Sequence, residues 1–316
     1  MNDHKAVHRA AVSASAPGKI ILFGEHAVVY GRPAIAVPVT HVQATATIAP
    51  HAAGIVIRSI NTGETLALDT ADPQSPLAAV VRLTLAAFNI RSADLALTVD
   101  SSIPIAAGLG SGAAVSVAIV RALAAWFGRT LDDEAVSALA YEVERLHHGT
   151  PSGIDNTVIA CNRPVYFVRG EPIRTFRVAR PFSVAIANTG HPALTRLAVG
   201  DVRRGWEAQP DRYEAWFDQI GAIARQARDA IESGAIEQLG PLMDRNQALL
   251  RHLDVSSPEL ERLIAAAKDA GAAGAKLVGG GRGGNMIALV DAHTRDAVMA
   301  ALRAAGATGL IVTYIQ

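Results

Sequence analysis

The chain has 316 residues, half of them hydrophobic, with 29 basic and 29 acidic side chains and a formal net charge of zero. That length supports a sizeable core and two domains, and the neutral balance argues against a sequence-independent nucleic-acid binder, which needs surplus positive charge to displace counterions from phosphates. A single cysteine, Cys161, precludes an intrachain disulfide, and the polar stretch Met1 to Arg9 lacks the apolar core of a secretory signal, so a cytoplasmic location and small-molecule partners are expected.

From Ala14 to Ile48 the pattern is extended, with apolar runs Ile20 to Phe23 and Ala34 to Val39 separated by Gly24, Gly31 and Pro33, which predicts strands joined by a turn. Leu77 to Phe88 predicts a helix, and Asp94 to Val99 alternates as a strand. Ser101 to Val120 carries no charge over a length that could cross a bilayer, yet its glycines, serines and Pro104 fit a glycine-rich turn followed by a buried helix, Ala113 to Phe127. Asp132 is placed to cap a further helix running to His148, with Val136, Leu139, Ala140, Val143 and Leu146 on its apolar face and Glu144 at the edge. Strand-like Val165 to Val168 and Ser183 to Ala187 follow, then a long helical region from about Pro192 to Ala272. The chain closes on a βαβ-like unit: Met286 to Val290, Thr294 to Ala305 and Leu310 to Ile315. Mixed α and β is expected, with domains 1–180 and 181–316.

Three glycine-rich segments and one acidic loop carry the chemistry. Pro104 to Ala114 sets Ala107, Gly108, Leu109, Gly110, Ser111, Gly112 and Ala113 before or at a helix N-terminus, where free N–H groups and the helix dipole suit a phosphate. The segment lacks the Lys-Ser/Thr of a Walker loop, so another cation or Mg²⁺ must neutralise the phosphate; close helix packing is the alternative reading. It also satisfies the dinucleotide pattern Gly-x-Gly-x-x-Ala, but Ser101 to Pro104 keeps the glycines out of the tight turn after the strand that this pattern requires. A second loop, Gly279 to Gly284, contains Gly281 and Arg282, follows Lys276, and reads as another wall of the nucleotide site or a flexible turn. The third segment, Pro17 to His26, gathers Lys19, Glu25 and His26 around one short strand. Only four lysines occur against 25 arginines, and two of them, Lys19 and Lys276, adjoin glycine-rich segments, which hints at a need for a compact ammonium there. Finally, His148 to Asn156 presents Asp155 among turn formers; on spacing alone it reads as the cap of a helix starting at Asn156.

Together, Gly24-Glu25-His26-Ala27-Val28-Val29-Tyr30-Gly31, the Gly108 to Ala114 loop, His148 to Asn156 and the Lys276 to Gly281 segment resemble the GHMP kinase superfamily, and within it the mevalonate kinase family. The resemblance implies an α+β fold: an N-terminal ribosomal protein S5 domain 2-like domain and a ferredoxin-like C-terminal domain, with the active site between them. It implies ATP and mevalonate as substrates, Mg²⁺ as cofactor and a homodimer, the product being 5-phosphomevalonate. Asp155 is then expected to accept the proton of the substrate hydroxyl with Lys19 beside it, Glu144 to bind Mg²⁺, and Glu25, His26 and Thr195 to contact substrate. The family's second serine after Gly-Leu-Gly is Gly112 here, so either Ser111 takes over as the hydroxyl ligand of the metal or water fills the position, and Ser111 is the candidate. The usual threonine of the last motif is Val278, with Arg282 as a replacement phosphate contact. Another GHMP kinase acting on a related acid or sugar, and a catalytically silent sensor, are the rival readings.

Overall fold

The computed structural model describes residues 10–104, 107–148 and 152–316. In chain order the elements are β1 (Val12–Phe23), a 3-10 turn (Ala27–Tyr30), β2 (Ala34–Pro50), β3 (Ile55–Ser59), β4 (Thr65–Ala67), α1 (Pro76–Ala87), β5 (Leu95–Ser101), α2 (Ser111–Trp126), α3 (Asp133–His148) and α4 (Ile154–Cys161). There follow β6 (Val165–Phe167), β7 (Arg174–Thr175), β8 (Phe182–Asn188), α5 (Thr195–Ala208), α6 (Pro210–Ser233), α7 (Leu239–His252), α8 (Pro258–Asp269), β9 (Gly274–Leu277), β10 (Asn285–Val290), α9 (Arg295–Ala304) and β11 (Gly309–Ile315). The chain divides into two compact units, but not by one cut near residue 180. The first unit takes the residues up to Pro17, Val42–Ile103 and Ser111–Cys161; the second takes Gly18–His41, Pro104–Gly110 and Asn162–Gln316. The long strands β1 and β2 therefore contribute residues to both.

In the first unit β3 pairs in parallel with β5, from Ile55 opposite Leu95 to Ser59 opposite Val99, while β4 and β2 flank them antiparallel. Helix α2 packs against α1, α3 and α4. Its Ala, Val, Ile and Leu residues are buried on nearly every side, which accounts for the uncharged stretch in the sequence. Among the described residues no helix is long and apolar enough to cross a membrane. The caps follow simple chemistry: Ser75 accepts from the Ala78 amide ahead of Pro76, and the Asp132 carboxylate accepts from the Ala135 amide at 2.8 Å. Asp155, by contrast, is not a cap. Helix α4 begins at Ile154, so this carboxylate lies inside the first turn, and the Ser152 hydroxyl accepts from the Ile154 amide at 3.3 Å.

In the second unit four strands stand in the order β11-β8-β10-β9, every neighbouring pair antiparallel. The βαβ-like reading of the C-terminus is corrected in one respect. Strands β10 and β11 are not neighbours; β8 lies between them, antiparallel to both, which is the split βαβ arrangement of a ferredoxin-like sheet. Strand β10 is central and buried along its whole length, as its run Asn-Met-Ile-Ala-Leu-Val demands.

Candidate functional site

In the second unit, β1 ends at Phe23 and the chain turns sharply at Gly24, whose φ is 97°. A Cβ at this position would lie 2.5 Å from Ala34 Cα and would also meet the Pro33 carbonyl, so only glycine fits. The turn delivers Glu25 and His26 into the interior, where both are buried. His26 adopts φ 60° with ψ −50°, outside the favoured backbone regions, a conformation that costs a non-glycine residue of order 1–3 kcal/mol and must be held by its contacts. Its Nε2 lies 3.1 Å from the carbonyl oxygen of Gly280. A carbonyl only accepts, so Nε2 carries the proton. Burial, reinforced by the positive charges of Arg282 and Lys276 and opposed by the Gly280 hydrogen bond, lowers the His26 pKa from 6.5 to about 4. The imidazole is thus neutral at physiological pH, and its Nδ1 is an acceptor.

This has a consequence for stability. A folded-state pKa depressed below the unfolded value means that the unfolded chain binds more protons, so stability present above pH 6.5 is lost as the pH falls toward 4. Urea unfolding is expected to show about 2 kcal/mol less stability at pH 5 than at pH 7 from this group, a loss absent in His26→Gln.

Lys276, on β9, is fully buried and pairs with Oε1 of Glu25 while donating to the Leu277 carbonyl at 2.7 Å. Desolvation raises the Glu25 pKa and lowers that of Lys276; each charge opposes the shift of the other, and Lys19 adds to the field holding Glu25 down. The other carboxylate oxygen, Oε2, is buried without a hydrogen-bond partner among the described residues. Lys276 was not expected among the site residues; the scarcity of lysine and its position before a glycine loop were the only sequence signals.

Gly280 also places Thr195. A Cβ on Gly280 would stand 2.5 Å from the Thr195 hydroxyl and 2.7 Å from its Cα, so the first residue of α5 packs directly on the loop that accepts from His26. Packing explains the neighbouring glycines too: side chains at Gly281 and Gly283 would strike the Val255 and Pro192 carbonyls. Arg282 behaves differently from the phosphate contact expected of it. Its guanidinium pairs with Asp201 and Asp254 and donates to the Asp254 carbonyl at 3.0 Å, while its amide donates to the Val255 carbonyl at 2.7 Å. It ties the loop to the helices beside it.

The flank of the first glycine segment belongs to this unit as well. The Lys19 amide donates to the Leu109 carbonyl at 2.9 Å, and Leu109 is buried between Gly108 at φ 74° and Gly110 at φ 73°. Asn285 donates from its side chain to the Ala107 carbonyl and accepts from Asn188 at 2.9 Å, fixing this flank to β10 and β8. Pro104 is exposed. Lys19, Glu25, His26, Thr195, Ala107 to Gly110, Gly281 and Arg282 are therefore placed in one compact unit.

The remaining expected residues lie in the first unit. Ser111, Gly112 and Ala113 open α2, where the amides of the first turn lack intrahelical acceptors. Gly112 is exposed and has nothing within 4 Å of a notional Cβ, so no packing demand accounts for this glycine. Glu144 is half-buried on α3, which packs against α2. Asp155 sits in the first turn of α4, and that helix is anchored to α3 by the Asn156 side chain, which donates to the Ser137 hydroxyl at 2.8 Å and carbonyl at 3.1 Å. Residues 149–151 of the acidic loop lie outside the described residues. One carboxylate and one hydroxyl, both hard oxygen donors, fit Mg²⁺, which keeps most of its shell for phosphate and water.

Residues 76–163 match the GHMP kinases N terminal domain and residues 227–308 match the GHMP kinases C terminal domain. The mevalonate kinase of Pyrococcus abyssi is 36% identical over 95% of this chain and 94% of its own length, and that of Aeropyrum pernix is 36% identical over 89% of each. A crystal structure of L. major mevalonate kinase in complex with R-mevalonate superposes with a TM-score of 0.85 at 29% identity, covering 98% of both chains. That of mevalonate kinase from methicillin-resistant Staphylococcus aureus gives 0.73 at 30% identity, covering 96% of this chain and 98% of the other.

Proposed function

Since this chain belongs to the mevalonate kinase family of GHMP kinases, we infer that it catalyses ATP-dependent phosphorylation of mevalonate, and we assign the 5-hydroxyl as acceptor and 5-phosphomevalonate and ADP as products. The observation that carries the reading beyond kinship is the buried group Glu25, His26 and Lys276 with Gly280. It joins the turn after β1 to the second glycine loop and carries an acceptor unpaired among the described residues, Oε2 of Glu25, of the kind that a hydroxyl of a hydroxy acid engages.

Phosphoryl transfer asks chiefly for positioning and neutralisation of charge. Asp155 takes the proton of the attacking hydroxyl, and the Lys19 ammonium stabilises the charge that develops on that oxygen. Glu25, His26 and Thr195 hold mevalonate. Pro104 and the stretch Ala107 to Ala113, with Gly281, hold ATP; Arg282 serves by bracing its loop. Glu144 and Ser111 would hold Mg²⁺, which when bound neutralises the β- and γ-phosphates. A cytoplasmic homodimer completes the proposal; a monomer in light scattering would remove the second part.

ADP release measured against mevalonate, phosphomevalonate, homoserine and galactose tests the function: turnover with mevalonate is expected, and turnover confined to another member of the panel would overturn it. In the same assay Ser111→Ala should raise the Mg²⁺ concentration for half-maximal rate; unchanged Mg²⁺ dependence would remove Ser111 from the metal site.

A further inference from the structure

Most of the buried charge in the second unit is concentrated in one ion pair, and its geometry is asymmetric. Lys276 is fully buried on β9 and spends one donor on Oε1 of Glu25 and another on the carbonyl of its neighbour Leu277. The second oxygen of Glu25, Oε2, is buried and accepts nothing from the described residues. A buried ion pair that served packing alone would satisfy both oxygens, because an unpaired buried acceptor works against folding. An arginine at this position could do so, since its planar fork meets both oxygens of a carboxylate at once, and this chain uses arginine in 25 of its 29 basic positions. Lysine is the exception here. A compact ammonium engages one oxygen and leaves the other unpaired among the described residues.

We propose that Lys276 is a positioning residue for mevalonate: it fixes Glu25 through Oε1 so that Oε2 stays available to accept a hydrogen bond from a substrate hydroxyl. The inference rests on the reading that Glu25 contacts mevalonate. The backbone supports the arrangement from both sides. Gly24 admits the only turn that carries Glu25 inward, and His26, next in sequence, is held by the Gly280 carbonyl four residues beyond Lys276. The pair is also braced from behind β9, where the Gln247 side chain accepts from the Leu277 amide at 2.9 Å and donates to Glu261 at 2.9 Å. The rotamer of Lys276 therefore starts from a fixed strand.

Two substitutions test this. Lys276→Arg keeps the positive charge and can occupy both oxygens, so a purely structural role is met; the thermal midpoint should stay close to that of the parent while the mevalonate KM rises about 10-fold or more and the ATP KM stays within about 2-fold. Lys276→Met removes both the charge that favours the Glu25 carboxylate and the contact that fixes Oε1, so the mevalonate KM should rise in this variant too, again with the ATP KM within about 2-fold of the parent. Mevalonate KM values within about 2-fold of the parent in both variants would overturn the inference. So would the failure of both to yield folded protein, because a positioning residue is dispensable to the fold. Turnover of mevalonate by the unmodified chain in the same assay tests the underlying reading separately: if the parent does not phosphorylate mevalonate, that reading fails, and if the parent is active and the variants match it, only the role of Lys276 fails.

Discussion

Asp155→Asn and Lys19→Met are each expected to lower kcat by about 10²–10⁴-fold, with the mevalonate KM changed far less. The aspartate-to-asparagine change keeps size and shape but removes the basic oxygen proposed to take the hydroxyl proton. Asp155 occupies the first turn of α4, not its cap, and the helix has other anchors: the N-terminal amide of Ile154 is met by Ser152, and the helix is pinned to α3 by Asn156. A loss of turnover with an unchanged circular dichroism spectrum would therefore report chemistry. Lys19→Met keeps the stem and removes the ammonium. The backbone of residue 19 still donates to Leu109, so the join between β1 and the glycine segment persists and the lost rate belongs to the charge. Near-parental turnover in both variants would dismiss the mechanism.

Gly24→Ala is expected to cost on the order of 3 kcal/mol or more in urea unfolding. Two penalties coincide at this residue. A φ of 97° is outside the range L residues adopt readily, and the added carbon would fall 2.5 Å from Ala34 Cα, a backbone atom of β2 that cannot swing aside as a flexible side chain would. Relief requires β1 and β2 to separate at the point where Glu25 and His26 enter the interior. Any folded remainder should therefore also show a raised mevalonate KM. Gly31→Ala is the control: its φ of 79° gives strain, but nothing stands within 4 Å of a notional Cβ, so its cost should be smaller. Equal unfolding midpoints for the two variants would show that the close approach to Ala34 contributes nothing.

Local chemistry made much of this molecule legible in its sequence. The helix at Leu77 to Phe88, the buried helix after the first glycine segment and the Asp132 cap all arise from periodicity, small apolar residues and capping, which act between residues a few positions apart. The glycine-rich segments and the motifs around Glu25 and Asp155 pointed to a GHMP kinase, and the chain belongs to that family. The short strands β3, β4, β7 and β9 were not foreseen, because runs of two to five residues have no period of their own and exist only through the ladders they join. Tertiary structure also decided the insertion of β8 between β10 and β11, and the grouping of Gly18–His41 and Pro104–Gly110 with the C-terminal residues.

The site divides along the same line. Sequence by itself determined which residues carry titratable groups, Lys19, Glu25, His26, Glu144 and Asp155, and where the glycines expected to meet a phosphate lie. It did not determine what those groups face. Only the folded chain brings Lys276 to Glu25 across 251 positions and the Gly280 carbonyl to His26 across 254, turns Arg282 toward Asp201 and Asp254, and leaves Oε2 of Glu25 buried without a partner among the described residues. The reason is physical. Propensity and capping act over one or two helical turns, whereas desolvation and ion pairing depend on what long-range packing places within a few ångströms.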